Sequence, residues 1–250
     1  MTRPNIHISF ILPAYNEEAY LKKSIDAIRF CSKKLSLIHE IIVVDNNSND
    51  NTYLLAKKYA DHVIKEPIQK IARARNTGAK HANYKNLVFI DSDTLLNMEL
   101  LKETILSIQD ETIIAGGTTI KFNKKSPLVS FWNTISKNFN WAAGCYIFCK
   151  KEYFQLSEGF NEAVYASEEI WFFKRIKKIA KRKNKKVRIL SGHSIETSDR
   201  KFEWFSTSAI ALQILLFALF PFLCRYKFFC FLWYLRPKTN NSQNSFSMHP

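Results

Sequence analysis

The chain has 250 residues, 46% hydrophobic and 24% charged, enough to bury a sizeable core and too apolar for wholesale disorder. Lys and Arg number 37 against 22 Asp and Glu, a formal net charge of +15, which points to an anionic partner: nucleic acid, an acidic membrane surface or phosphorylated substrates. Five cysteines, with Cys145 and Cys149 too widely spaced for a Cys-x-x-Cys pair and no His/Cys cluster, argue against a disulfide framework or zinc site and fit a reducing compartment.

The first hundred residues alternate regularly. Ile8 to Leu12 is a short apolar run, too short for a signal peptide and read as a first buried strand, which places the body of the protein in the cytosol. Pro13-Ala14-Tyr15-Asn16-Glu17-Glu18 follows, and then Leu21, Ile25 and Ile28 at helical spacing. Ile41 to Val44 is a second strand ending at Asp45. Turn and cap residues then lead into a helix over Thr52 to Ala60. A strand over His62 to Ile64, a helix over Ala72 to Ala82 and a strand over Leu87 to Ile90, ending at Asp91, complete the series. Strands alternating with helices predict βαβ units and a mainly parallel sheet, with ligands beyond the carboxyl ends of the strands.

The second half is less regular. Strands are predicted at Gly116 to Phe122, Cys145 to Cys149 and Val187 to Leu190, and a helix over Ser167 to Ala180 with Ile170, Phe173 and Ile176 near one face. Ten Lys or Arg residues lie between Lys174 and Arg188, either a solvated face or an anion-contacting surface. Ala209 to Leu223 and Phe228 to Leu235 are two greasy pieces with basic residues on both sides. Neither comfortably reaches the roughly 20 apolar residues of a bilayer span, so an in-plane or hairpin attachment is expected, with a buried core helix as the alternative. Three segments follow: a domain over residues 1–204, an apolar segment over 205–237 and a disordered tail over 238–250.

Asp91-Ser92-Asp93 stands directly after a buried strand. Carboxylates two apart at a strand end face the same side, and two hard oxygen donors suit Mg²⁺ or Mn²⁺ held jointly with substrate phosphates.

Four ordered motifs then carry a resemblance: Pro13-Ala14-Tyr15-Asn16-Glu17-Glu18, Val43-Val44-Asp45 with its Asn/Ser/Asp turn, Ala72-Arg73-Ala74-Arg75-Asn76-Thr77-Gly78-Ala79, and Phe89-Ile90-Asp91-Ser92-Asp93. Together they resemble family 2 glycosyltransferases over roughly residues 8–200. Gly159-Phe160-Asn161-Glu162 before Glu168-Glu169, and Ser198-Asp199-Arg200-Lys201, resemble later elements of that family. The resemblance implies an α/β GT-A fold and an inverting transfer from a nucleotide-sugar donor, UDP-linked in preference to GDP, to a saccharide or lipid-linked acceptor. The short apolar start and the basic residues beside the apolar C-terminal pieces lead to an expected cytoplasmic location at the inner face of the cell membrane, on an anionic surface, and the lack of RNA-binding motifs to an expectation of no nucleic-acid partner. The resemblance assigns Pro13, Ala14, Tyr15, Asn16, Glu17, Asp45, Arg75, Asp91 and Ser92 to the donor, with Asp93 and Asp91 on the metal and His193 as a further ligand. Glu169 falls where the family places an aspartate base; either Glu169 or Glu168 could serve. The Gln-x-x-Arg-Trp motif of processive synthases is missing, which implies transfer of single sugars. Other classes stay open: a catalytically silent nucleotide-sugar-binding module, and a basic RNA-binding protein, although no RNA-binding motif is present.

Overall fold

The computed structural model describes residues 6–121, 133–134, 136, 142, 144–198 and 200–235. Phe122, Asp199 and the predicted tail over 238–250 lie outside the described residues. Eight strands form one sheet: β1 (His7–Ala14), β2 (Ile38–Asp45), β3 (His62–Lys65), β4 (Asn86–Ile90), β5 (Thr94–Leu95), β6 (Ile113–Lys121), β7 (Tyr146–Lys150) and β8 (Lys186–Thr197), in the order β3-β2-β1-β4-β7-β6-β8-β5. The first four are parallel as predicted. β8 runs parallel to β6, whereas β7 runs antiparallel to both β4 and β6 and β5 antiparallel to β8, so antiparallel strands are set into an otherwise parallel α/β sheet. β4 and β7 lie far apart in sequence, so β7 enters the sheet beside β4 by a long-range pairing.

Side chains alternate across the parallel strands with the period of two expected of a pleat. Ile8, Phe10, Leu12, Ile41, Val43, Val88 and Ile90 enter one core, with helix α1 (Leu21–Lys34), helix α2 (Thr52–Tyr59) and helix α4 (Met98–Gln109) over it. Ile11, Ile42, Val44, Leu87 and Phe89 enter the other, covered by helix α3 (Ile71–His81), helix α5 (Lys151–Leu156) and helix α6 (Glu168–Arg182). The sheet is therefore sandwiched between two helical layers. On α3, Gly78 permits close approach: a Cβ there would lie 2.4 Å from Ile11 Cγ2 and 3.1 Å from Val44 Cγ2. On α6 the buried face is Glu168, Phe172, Phe173, Ile176 and Ala180; Ile170, expected on that face, is only partly covered.

The apolar C-terminal pieces form helix α7 (Arg200–Trp204), helix α8 (Thr207–Leu219), two 3₁₀ turns (Pro221–Arg225 and Lys227–Cys230) and helix α9 (Phe231–Tyr234). Among the described residues no helix is long and apolar enough to cross a membrane. The segment has two faces. Ile210, Gln213, Cys224, Cys230 and Leu232 are buried, whereas Leu212, Leu215, Leu219, Phe222 and Phe228 are exposed.

Candidate active site

The loops after β1 and β2 are tied together before any ligand arrives. Asn16 adopts φ +52°, a left-handed conformation Asn tolerates, and its Oδ1 accepts from the Asn49 N–H at 2.9 Å. Asn16 N–H donates to Ser48 Oγ, Glu17 N–H to Thr52 Oγ1, and Glu18 Oε2 accepts from Asn51. Ala14 and Asp45 are register partners at the two strand ends, and the Asn46 N–H donates to the Ala14 carbonyl.

Asp91, Ser92 and Asp93 form a turn closed by the Thr94 N–H on the Asp91 carbonyl, not an extension of β4. Strand alternation therefore does not orient the two carboxylates; two buried arginines do. Ser92 is buried, with its hydroxyl on the Pro13 carbonyl and its own carbonyl taken by Ser24 Oγ. Pro13, Ala14 and Ser92 are buried beneath the site.

Arg75, 1% exposed, places Nη2 on Asp91 Oδ1 at 2.8 Å and on the Gly144 carbonyl at 2.6 Å, and Nη1 on Glu168 Oε1 at 2.5 Å. The prediction set Arg75 against the base and diphosphate of the donor. The structure instead spends its guanidinium fork on two carboxylates, because a buried Arg needs acceptors in its plane. Its Nε is buried without a partner, and Phe160 packs against the guanidinium at 5.3 Å.

Arg200, on α7, repeats the arrangement on the other side. It makes a two-pronged pair with Glu17 (Nη1 to Oε2 2.7 Å, Nη2 to Oε1 2.5 Å) and reaches Asp93 Oδ2 at 2.9 Å. Both Glu17 oxygens pair with Arg200, which ties the loop after β1 to α7. Asp93 Oδ1 accepts from the Thr94 and Thr197 hydroxyls, each at 3.4 Å. Burial raises the Asp93 carboxyl, and Arg200 opposes that rise. Asp45 is also buried, and its Oδ1 has no partner, an orphan acceptor where an N–H of a ligand would be satisfied. Tyr15 is half-buried beside these loops.

Glu168 and Glu169 open α6 after Ser167, a non-glycine residue at φ +62°. Burial pushes both carboxyls up. At Glu168 the Arg75 guanidinium opposes the rise, so Glu168 carries the negative charge of the pair. At Glu169 burial and the neighbouring Glu168 charge raise the carboxyl to about 8. Glu169 is half-buried beside Gly144, where an added Cβ would sit 3.7 Å from its Oε2 and 3.6 Å from Arg75 Nη2. Asn76 fastens the preceding loop, bonding Phe160 through both N–H and carbonyl and donating to Glu162 Oε1.

His193 is not brought to this site. It lies in an irregular stretch of β8, with its ring toward Glu103 of α4 at 3.9 Å, four residues back along the strand from Thr197 beside Asp93. β8 shifts register beside it, between the partners of Thr118 and Ile120. Among the described residues no three carboxylate, imidazole or thiol groups converge on a metal position. Asp91 and Asp93 still fit a cation shared with phosphate oxygens, since such a site needs only one or two carboxylates and Asp93 Oδ1 is nearly unengaged.

The family model described as Glycosyl transferase family 2 matches residues 9–195. Glycosyltransferase AglE of Haloferax volcanii is 27% identical over 128 residues, 49% of this chain and 42% of its own. UDP-Glc:alpha-D-GlcNAc-diphosphoundecaprenol beta-1,3-glucosyltransferase WfgD of Escherichia coli is 29% identical over 143 residues, 52% of this chain and 55% of its own. The chain thus spans about half the length of these relatives. In fold it is similar to the mannosyltransferase PcManGT from Pyrobaculum calidifontis in complex with GDP-Man and Mn²⁺ (TM-score 0.61, 21% identity, 76% of this chain and 56% of that one). It is also similar to S. aureus TarS 1-349 in complex with UDP (TM-score 0.60, 20% identity, 77% and 60%).

Proposed function

Because the chain belongs to glycosyl transferase family 2, its residues 9–195 matching that family, we propose that it moves single sugars, with inversion, from a UDP-linked donor to a hydroxyl of a lipid-linked or cell-envelope saccharide. The observation that carries this reading is Glu169: a half-buried carboxyl raised to about 8, set beside the arginine that holds Asp91. A base with that proton affinity suits removal of a proton from a hydroxyl near neutral pH.

The residues divide the work by position. Asp45 Oδ1, the orphan acceptor, takes an N–H of the base. Asp91 and Asp93 would hold Mn²⁺ or Mg²⁺, which neutralises charge on the departing nucleoside diphosphate. Arg75 ties the donor carboxylate Asp91 to Glu168, so the two substrates meet across one rigid ion-paired bridge. Glu168 holds its charge and thereby keeps Glu169 basic, while Glu169 takes the acceptor proton as the oxygen attacks the anomeric carbon from the face opposite the leaving group. Such positioning supplies much of the rate in transfers of this kind.

The exposed apolar face of the C-terminal segment, flanked by Arg225 and Lys227, would lie on an anionic leaflet at the cytoplasmic side of the cell membrane. The acceptor would then be presented close to the glutamates.

The test is a thermal-shift screen of nucleotide sugars with and without Mn²⁺, followed by transfer to lipid-linked acceptors. A binding donor at about 100 times its dissociation constant stabilises by roughly 2.7 kcal/mol. A shift with UDP-sugars that needs Mn²⁺, and a glycosylated product, are expected. A screen in which no nucleotide sugar shifts the melting temperature overturns the reading.

A further inference from the structure

We infer that Arg200 is a resident counter-cation of the donor site, holding Asp93 in place of a divalent ion and releasing it only when the metal arrives with its diphosphate. The inference rests on the proposed assignment of Asp93 as a metal ligand.

Arg200 is 8% exposed and sits between two rings, Tyr20 at 5.1 Å and Trp204 at 5.3 Å, so its plane is fixed before any ligand binds. Its bonds are unequal. Glu17 takes both terminal nitrogens in a fork, the geometry in which Arg–carboxylate pairs are strongest, whereas Asp93 receives one contact from a nitrogen already shared with Glu17. A small tilt therefore frees Asp93 while Glu17 keeps the guanidinium anchored. A free divalent ion that approaches Asp93 through Oδ1 meets the positive charge of Arg200 on Oδ2 of the same carboxylate, 2.9 Å away. A metal–diphosphate meets less resistance, because its own anionic oxygens offer the released Nη2 a replacement acceptor. Nε of Arg200, buried without a partner, offers a second donor to such an oxygen. The consequence is ordered loading: metal alone is held weakly, and metal with nucleotide strongly.

The test uses the full-length protein. Mn²⁺ is titrated in without nucleotide and followed by loss of the free-ion EPR signal. Arg200→Gln is expected to bind free Mn²⁺ at least about tenfold more tightly than the unaltered protein, equivalent to about 1.4 kcal/mol. Arg200→Lys, which cannot bridge Glu17 and Asp93 with one fork, is expected to shift in the same direction by less. The gain should vanish in Arg200→Gln/Asp93→Asn. Should Arg200→Gln fail to fold, the Arg200→Lys shift decides. Calorimetry of UDP with Mn²⁺ on Asp93→Asn is the separating arm. Unchanged Mn²⁺-dependent UDP affinity there overturns the metal-ligand assignment and the inference with it. Lost affinity there, with no tightening of free Mn²⁺ in either Arg200 variant, overturns the counter-cation alone.

Discussion

The backbone N–H of Tyr165 donates to the carbonyl of Cys224 at 2.6 Å, joining the loop that leads into the paired glutamates to the apolar C-terminal segment. Tyr234 adds a second stitch, its hydroxyl on the Tyr165 carbonyl at 3.0 Å. The segment is therefore a buttress of the acceptor side as well as a surface. Removing residues after 205 should lower the melting temperature by roughly 5 °C or more, at about 2–4 °C per kcal/mol for this size. Turnover on a soluble acceptor should fall as well. A truncated protein with unchanged melting temperature and turnover would show that the two stitches carry nothing.

Phe228 tests the other face. It is 86% exposed, so Phe228→Ser should leave the melting temperature alone. Co-sedimentation with anionic vesicles should weaken about tenfold or more, the worth of a buried aromatic side chain. Equal partitioning of the two proteins would turn attention to another surface.

The two glutamates should separate cleanly. Glu169→Gln is expected to cut turnover by about 10² to 10⁴ with donor affinity nearly intact, as for loss of a positioned base. Glu168→Gln leaves Arg75 without one of its carboxylates and removes the charge that raises Glu169. It should shift the acid limb of the pH–rate profile downward. Steady-state kinetics in which Glu168→Gln abolishes turnover and Glu169→Gln retains it would reverse the assignment.

The pH dependence has a definite sign. Glu169 works only unprotonated, so kcat/KM of the free enzyme should climb about tenfold per pH unit toward about 8 and level above it. Stability runs the other way. Between the ordinary carboxyl value of 4.5 and about 8 the folded state holds a proton that the unfolded chain has lost, so stability declines with rising pH. The melting-temperature difference of Glu169→Gln over the unaltered protein should accordingly grow from pH 5 to pH 8. A constant difference across that window contradicts the raised value.

Gly78→Ala probes the close contact of α3 with the sheet. The added methyl meets Ile11 and Val44, and overpacking of this kind costs about 1–3 kcal/mol. Arg75 and Asn76 ride the same helix, so turnover should fall together with stability in paired melting and activity measurements.

Much of the parallel half was legible because alternating apolar runs and their terminal polar residues are local signals. Ile41 to Val44 and Leu87 to Ile90 needed no distant partner to be read. α4 went unread although its signal is present: Asn97 caps it by accepting from the Leu100 N–H, and Leu100, Leu101, Ile105 and Ile108 form its buried face. The antiparallel insertion of β7 was not legible, since strand direction depends on a pairing across more than 50 residues. At the site, the residue types were readable but their partners were not. Asp93 could be singled out from its spacing, yet nothing near it in sequence announces Arg200. Glu17 was readable as a residue type, but its pairing with Arg200 exists only in three dimensions.

That pairing also sets a schedule for synthesis. Glu17 and Arg200 are 183 residues apart, so at about 5–20 residues per second the ribosome takes roughly 10–40 s to deliver the second after the first. By the end of that interval Glu17, Asp45, Asp91 and Asp93 are all translated, while the guanidinium that balances Glu17 and Asp93 is not. The nascent protein therefore passes through a stage with an excess of unpaired acid at its centre. Its donor half should stay open to exchange and to protease until α7 clears the exit tunnel.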